Sequence, residues 1–235
     1  MSTRSASWNK GLTKETNPSV RKISATMKRL HIDNFKKWRD EMKRLGKIKS
    51  SYPTLRKNGD LAELIGVVLG DGHIGIFPRT ESLLIFSNSN NLGFVARYSE
   101  LVEKTFLKKS RITKIKGAQC IKISIYQKQI SNRLSIPAGS RKNIKNVVPD
   151  WVLKNRQYVV RYLRGLYEAE GSFSIHKPTS TYKLSFANRN PSLLRQVYLL
   201  LKYLGFHPSR DDCRVQLSRK EEVYKAKGLL HFREY

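Results

Sequence analysis

The sequence predicts an α+β protein with an internal duplication. Two apolar runs with small residues four apart each end in an acid and a glycine: LIGVVLGDG at residues 64–72 and LRGLYEAEG at residues 163–171. A second pair of similar segments, FSNSN from Phe86 and FANRN from Phe186, follows at nearly the same interval. After each acid, apolar residues first alternate as in strands and then recur at helical spacing. These repeats predict two related halves of mixed structure.

The charge balance indicates a nucleic-acid partner. The 235 residues include 46 Lys and Arg against 18 Asp and Glu, a net charge of +28. Such an excess of cations is typical of nucleic-acid-binding proteins. The two cysteines, Cys120 and Cys213, have no partners at zinc-ligand spacing, so a zinc finger is not indicated.

The sequence shows neither a membrane span nor an export signal. Its apolar runs are shorter than the roughly 20 residues needed to cross a bilayer, and the first ten residues lack the apolar core of a signal peptide. We therefore expect no membrane partner and an intracellular location: the cytoplasm or nucleoid, or an organelle matrix in a eukaryote.

Residues 1–58 predict a basic helical N-terminal extension. They hold 16 Lys and Arg against 4 Asp and Glu, and Asn17 before Pro18 is a favourable helix start. Apolar residues then recur at helical spacing in two runs that are separated near His31, and residues 47–58 are typical of a linker. In one interpretation the apolar stripe packs on the main body and the Lys and Arg side chains face water. In the other, those cations meet phosphates, and the charge excess favours this second interpretation.

The extension opens with WNKGLTKET at residues 8–16 and continues to RKIS at residues 21–24. These segments resemble the nuclease-associated modular motif, a short DNA-contacting element found beside several kinds of homing nuclease. It implies that Lys10, Arg21 and Lys22 contact DNA.

Helices and strands alternate in both predicted halves, residues 59–150 and residues 151–235. In the first half, the spacing of apolar residues predicts a helix ending at Asp71, hairpin strands at 73–78 and 82–88, a helix at 90–106, and strands at 112–116 and 120–126. In the shorter second half it predicts a helix ending at Glu170, strands at 172–176 and 183–188, a helix at 191–204, one clear strand at 214–218 and a helix at 221–229.

The helices that end at Asp71 and Glu170 carry small residues one turn apart. These are Gly66, Gly70, Gly165 and Ala169. Glycine inside a helix costs about 1 kcal/mol relative to alanine, and close approach of two helix backbones would compensate for that cost. If the two helices pack in parallel, both carboxylates emerge at one end. Carboxylates are unfavourable at a helix C-terminus without a cation, so the pair predicts a divalent-metal site that suits Mg²⁺.

With these residues in view, the chain resembles a single-chain LAGLIDADG homing endonuclease with two motifs. The nine residues ending at Gly72 and at Gly171 align with the family signature, and the second motif is the closer match. Leu69 stands in the first motif where the family has an acid that caps or solvates the helix end. The resemblance implies two pseudo-symmetric αββαββα-type halves that form a saddle-shaped antiparallel sheet over DNA.

The resemblance also implies an activity. Asp71 and Glu170 would hold Mg²⁺, or another divalent cation such as Mn²⁺, and a monomer would cut both strands of double-stranded DNA at a long, asymmetric target. Such proteins are commonly intron-encoded, so intron RNA is a second candidate partner.

Strands lying in the major groove would present alternate side chains to DNA, beginning two residues after each acid. The predicted contacts are His73, Gly75, Phe77, Arg79, Ser172, Ser174, His176, Lys183 and Ser185. For the two histidines, the alternative is an ordinary solvent-facing strand residue.

The family places a basic residue near the scissile phosphates, on the last strand of a sheet. Aligning CIKIS with RVQLS puts Lys122 and Gln216 at this position. Lys122 would neutralise developing charge or hold water, or be an ordinary phosphate contact, whereas Gln216 would only position water. The two halves are therefore expected to be unequal.

Two other functions remain open on the same fold. One is an intron maturase or structured-RNA binder, and the other is a non-catalytic DNA-binding regulator. Intact acids in both motifs favour the nuclease.

Overall fold

The structure is a computed structural model that describes residues 8–47, 51–141, 144–145 and 147–235. The chain divides into two compact units, Met1–Tyr52 and Pro53–Tyr235. The last residues of the predicted linker therefore belong to the second unit, where Leu55 is buried. Residues 48–50 of that linker lie outside the described residues.

Within the described residues, no helix is long and apolar enough to cross a membrane.

The first unit contains two helices, α1 (Pro18–Arg29) and α2 (Lys36–Arg44). Asn17 caps α1 as predicted, because its side-chain oxygen accepts hydrogen bonds from the backbone N–H groups of Ser19 and Val20 at 2.9 and 3.2 Å. Neither helix contains a buried residue.

The second unit consists of two halves that share an αββαββα order, to which the second half adds a short helix at its start and a 3₁₀ turn. The first half contains α3 (Gly59–Asp71), β1 (Gly72–Phe77), β2 (Thr80–Asn88), α4 (Leu92–Phe106), β3 (Arg111–Lys114), β4 (Cys120–Gln127) and α5 (Ile130–Leu134). The second half contains α6 (Asp150–Leu153), α7 (Arg156–Glu170), β5 (Gly171–His176), a 3₁₀ turn (Lys177–Thr179), β6 (Thr181–Ala187), α8 (Pro191–Tyr203), β7 (Ser209–Arg210), β8 (Arg214–Leu217) and α9 (Lys220–Leu230). The sequence did not predict α5, α6, β7 or the 3₁₀ turn, because elements of two to five residues are too short to show a period.

Each half forms a four-stranded antiparallel sheet. The strand orders are β1-β2-β4-β3 and β5-β6-β8-β7, so the two sheets have the same topology. One face of each sheet is buried against the helices. The buried strand residues are Ile74, Leu83, Ile85, Ile123 and Ile125 in the first sheet and Leu184, Phe186, Val215 and Leu217 in the second. We call the opposite face, which bears His73 in the first sheet and Ser172 in the second, the outer face.

The two halves meet through α3 and α7, which pack backbone against backbone. A Cβ atom added at Gly66 would collide with the carbonyl oxygen of Tyr162, and one added at Gly165 would collide with the carbonyl oxygen of Glu63. Near the helix ends, a Cβ at Gly70 would collide with the Cβ of Ala169. The four small residues thus permit an approach that larger side chains would prevent.

A buried ionic network also joins the halves. Glu63, on α3, is fully buried and accepts two hydrogen bonds from Arg97 at 2.6 and 2.9 Å. It accepts a third from Arg161, on α7, and the Nε of Arg164 lies 3.6 Å from the same carboxylate. A buried carboxylate needs such compensation, so Glu63 ties both motif helices to α4.

Candidate active site and nucleic-acid interface

Asp71 and Glu170 lie at the touching C-terminal ends of the two motif helices. Each is the last residue of its helix, and the glycine that follows donates its backbone N–H to the carbonyl of Val68 or Tyr167. A Cβ at Gly70 would lie 3.1 Å from the Cγ of Glu170, so the two helix ends are in contact. The packing of α3 on α7 therefore brings one carboxylate from each half to a shared centre.

The environment of the two acids disfavours two negative charges. Burial, together with the charge of Glu170, raises the pKa of Asp71 from about 3.8 to about 7. Burial also raises the pKa of Glu170, although the side-chain amide of Asn188 donates a hydrogen bond of 3.2 Å to its Oε1 and opposes the shift. A bound cation would relieve the repulsion between these carboxylates.

The site offers oxygen ligands rather than a cluster of soft ligands. Across the described ranges, no group of three or more His, Cys, Asp and Glu side chains is placed to hold a metal ion. A cation held by Asp71 and Glu170 would complete its shell with water or substrate oxygens, as Mg²⁺ commonly does. A cavity of about 700 Å³ that is lined in part by Glu170, Arg141 and Cys213 gives room beside Glu170.

Two arginines that the sequence did not single out bind the helix ends that carry the acids. Arg141 donates through Nη2 to the carbonyl oxygens of Val68 and Gly72, at 2.9 and 2.5 Å. In the second half, Arg233 donates through Nη2 to the carbonyl of Gly171 at 3.4 Å. Each arginine follows the last helix of its half, outside any recognisable motif, so no sequence signal marks it.

The predicted DNA contacts fall largely on the outer faces. His73 and Phe77 are exposed on β1, and Ser172, Ser174 and His176 are exposed on β5. Arg79 lies exposed in the turn between β1 and β2.

Two other predicted contacts lie on β6. Lys183 pairs with Ser174 and is half-buried. Ser185 has the expected face but is buried, with its hydroxyl donating to the side-chain oxygen of Gln216 at 3.2 Å.

Strand register corrects the predicted equivalence of Lys122 and Gln216. Gln216 pairs with Ser185, which pairs with Ser172, the residue after the glycine that ends α7. In the first sheet, His73 is the residue after the glycine; it pairs with Leu84, which pairs with Ser124. Gln216 therefore corresponds to Ser124 and not to Lys122.

Lys122 therefore has a different counterpart. It pairs with Phe86, the second residue along β2 from Leu84, and Arg214 pairs with Ala187, the second residue along β6 from Ser185. Lys122 corresponds to Arg214, so both halves carry a cation at this position. The expectation that the second half lacks one is wrong.

Comparison with known proteins agrees with this architecture. The family model of the LAGLIDADG-like domain matches residues 157–235. Mesophilic variants of the homing endonuclease I-DmoI align with a TM-score of 0.51 at 19% identity, over 73% of this chain and 94% of theirs. The protein has the LAGLIDADG fold.

Two further LAGLIDADG structures align similarly. I-DmoI in complex with DNA and Mn has a TM-score of 0.51 at 20% identity, over 73% of this chain and 96% of that chain. The N-terminal LAGLIDADG domain of DUF199/WhiA has a TM-score of 0.53 at 15% identity, over 77% of this chain and 84% of that domain.

A curated relative is the glutamine–fructose-6-phosphate aminotransferase of Methanocaldococcus jannaschii, 25% identical over 166 residues. The match covers 69% of this chain but only 14% of the aminotransferase. It is thus a match to a small part of that protein.

The acid of the second LAGLIDADG motif that precedes Glu170 has a role other than the one the resemblance implies. Glu168 does not solvate the helix end; it is buried, and it accepts hydrogen bonds from the backbone N–H of Arg233, at 2.6 Å, and from the hydroxyl of Tyr235. It therefore holds the segment after α9. Leu69, at the matching position of the first motif, packs partly buried against the core.

The predicted contacts of the first unit are exposed. Lys10 precedes α1, and Arg21 and Lys22 lie on it. The Nε of Arg21 donates to the carbonyl of Lys14 at 3.1 Å, which ties the segment before α1 to the helix.

Proposed function

We propose that the protein is a site-specific, metal-dependent endonuclease of double-stranded DNA. The observation that carries this proposal is the meeting of Asp71 and Glu170, one acid from each half, at the touching ends of α3 and α7. Two ionised carboxylates that lie close together repel each other, and a cation bound between them removes that repulsion. A non-catalytic scaffold has no need of such a pair.

The donor set fits Mg²⁺ or Mn²⁺, and both metals occur with relatives of this fold. I-DmoI has been studied in complex with DNA and Mn, and a single-substitution variant of it has been studied with its target DNA and Mg. When bound, such a cation would neutralise phosphate charge and lower the pKa of a water molecule. Asp71 and Glu170 would hold it, and the amide of Asn188 would orient Glu170.

DNA is the substrate that the charges and the outer faces favour. The net charge of +28 provides phosphate contacts. The outer faces present His73, Ser172, Ser174, His176 and Lys183 on hairpins whose first strands begin directly after the two acids. Because the two faces differ in composition, the target would be asymmetric, and because one chain supplies both acids, a monomer would suffice.

Cations from both halves would support the reaction. Lys122 and Arg214 are equivalent by strand register. Each would approach the DNA phosphates contacted by its own half of the protein. Gln216, which is hydrogen-bonded to Ser185 and Ser218, would hold water or a polar group of the DNA. In the first unit, Lys10, Arg21 and Lys22 would contact flanking phosphates and lengthen the footprint.

The test begins with selection of a duplex from a randomised library in the absence of divalent metal. A duplex that spans the insertion site of the protein's own gene is a direct candidate. Incubation with Mg²⁺ should cut both strands, whereas EDTA should prevent cutting, and the double variant Asp71→Asn/Glu170→Gln should bind without cutting. Specific binding without metal-dependent cleavage would indicate a regulator, and preference for structured intron RNA over duplex DNA would indicate a maturase. Either result would overturn the proposal.

A further inference from the structure

The outer face of the first sheet carries large apolar side chains at Phe77, Leu84 and Phe86, where that of the second sheet carries His176, Ser185 and Ala187. Strand register relates the two faces, since Gly72 and Gly171 begin the pairing in both hairpins. Equivalent positions are Phe77 and His176, Leu84 and Ser185, Phe86 and Ala187, Gly75 and Ser174, and Ser82 and Lys183. The sheets share a topology but present different chemistry.

The apolar side of this contrast includes an exposed aromatic pair. Phe77 is 50% exposed and Tyr126 is 47% exposed, and their ring centroids lie 6.3 Å apart. Gly75 adds no side chain beside Phe77, where a Cβ would lie 3.5 Å from Cε2 of that ring. Aromatic area left in water is unfavourable and often marks a binding surface. Leu84 and Phe86, both half-buried on β2, add apolar side chains to the same face, with Ser82 between Leu84 and the aromatic pair.

Cations frame this apolar surface. Arg79 is exposed in the turn next to Phe77, and Arg111, opposite Ser124, is exposed on the same outer face. Lys122 lies on the same face beside Phe86. Apolar groups inside a frame of cations match the DNA major groove, where phosphates border the thymine methyl, the apolar group on a base edge.

We propose that the first sheet recognises thymine methyl groups, so that the half-site it contacts is rich in thymine. The second sheet reads its half-site by hydrogen bonds instead. Lys183 can donate to the acceptor edge of guanine, and His176 and the serine hydroxyls can donate or accept. The inference rests on the proposed function only in requiring that the outer faces contact duplex DNA.

The test removes the thymine methyl groups from one half-site of the DNA at a time. A duplex selected in EDTA is resynthesised with deoxyuridine in place of thymine in one half-site at a time, and affinity is measured by mobility shift. Burial of one methyl group corresponds to a change in affinity of about fourfold. We expect that loss for each contacted thymine in one half-site and no loss in the other.

Protein variants assign the sensitive half-site to the first sheet. Phe77→Ser and Tyr126→Ser each change an exposed side chain and should abolish the preference for thymine over deoxyuridine. The matched control His176→Ser, at the position equivalent to Phe77, should retain the full preference. The inference would be overturned if the Phe77 and Tyr126 variants lost the same affinity for the thymine duplex and the deoxyuridine duplex. It would also be overturned if the wild-type protein self-associated, and the variants lost that self-association with their DNA affinity unchanged.

Failure of this inference is distinguishable from failure of the proposed function. Discrimination of thymine from deoxyuridine without metal-dependent cleavage would overturn the proposed nuclease function and support the inference. Cleavage with equal sensitivity of both half-sites to deoxyuridine would do the opposite. Absence of any specific duplex binding would overturn both.

Discussion

Arg141 and Arg233 occupy equivalent places in the two halves, since each donates to the carbonyl of the glycine that follows a motif acid. The two contacts are not equal. Arg141 also binds the carbonyl of Val68, and burial lowers its pKa, whereas Arg233 makes the single longer bond and is exposed. The arginine at the end of α3, which carries Asp71, therefore makes stronger contacts than the arginine at the end of α7.

Replacement of Arg141 should cost more than replacement of Arg233. We expect Arg141→Met to lower the free energy of unfolding by about 1 to 2 kcal/mol, because a charged donor is lost from two helix-end carbonyls. The net loss is limited, because Nε and Nη1 of Arg141 are buried without a hydrogen-bond partner in the described structure. Urea denaturation measures the difference, and an equal or larger loss in Arg233→Met would contradict the unequal contacts.

Adding one methyl group between the motif helices should destabilise the protein severely. In Gly66→Ala the new Cβ would collide with the backbone of α7, which cannot move aside as a side chain can. We expect a loss of about 3 kcal/mol or more. The matched control is Gly228→Ala in α9, where a Cβ meets nothing within 4 Å and helix propensity should raise stability by about 1 kcal/mol. Thermal unfolding of both variants should show shifts of opposite sign.

The buried carboxylate of Glu63 should be far more important for stability than a surface acid. In Glu63→Gln, Arg97 and Arg161 lose their charged acceptor inside the interface, and the expected loss is about 3 to 5 kcal/mol. Glu100→Gln provides the control, because Glu100 forms an exposed pair with Lys104 whose loss should cost about 0.5 kcal/mol or less. Similar denaturation midpoints for the two variants would show that the network contributes little.

The raised pKa of Asp71 predicts a pH-dependent stability in the absence of divalent metal. The folded pKa of about 7 exceeds the ordinary value near 3.8, so the folded state binds the proton more tightly. The contribution of this proton to the free energy of unfolding is complete below about pH 4 and is lost as pH rises to about 7. At pH 8, Asp71→Asn should be more stable than the wild type by about 1 to 3 kcal/mol. Urea titrations between pH 4 and pH 8 measure this, and a variant less stable at pH 8 would contradict it.

The helices and strands with a clear period of apolar residues could be predicted from the sequence, but the register between strands could not. Asn17 and Asn190 cap helices that begin at the following proline, as the local chemistry requires. Register depends on loop length, because the turn between β5 and β6 is two residues longer than that between β1 and β2. Ile85, not Phe86, consequently matches Phe186.

The site was predictable where chemistry repeated along the chain. The acids and the small residues recur at an interval of 99 residues, which marks both the helix contact and the paired carboxylates. Arg141, Arg233 and Glu63 lack such a repeat. Their roles come from tertiary contacts between segments 60 to 100 residues apart, which single-sequence patterns do not encode.

The equivalence of Lys122 and Arg214 predicts that each supports cleavage of one strand. Lys122→Met and Arg214→Met should each slow one nicking step about tenfold or more, because a cation that offsets developing phosphate charge is lost on one side. On supercoiled plasmid, both variants should accumulate nicked circles, with the nick in opposite strands. Gln216→Met is the control. It should slow nicking of the DNA strand that depends on Arg214 less than Arg214→Met does, since Gln216 carries no charge. If Gln216→Met alone produced the strand-specific nick, the alignment of Lys122 with Gln216 would be restored over the register-based assignment.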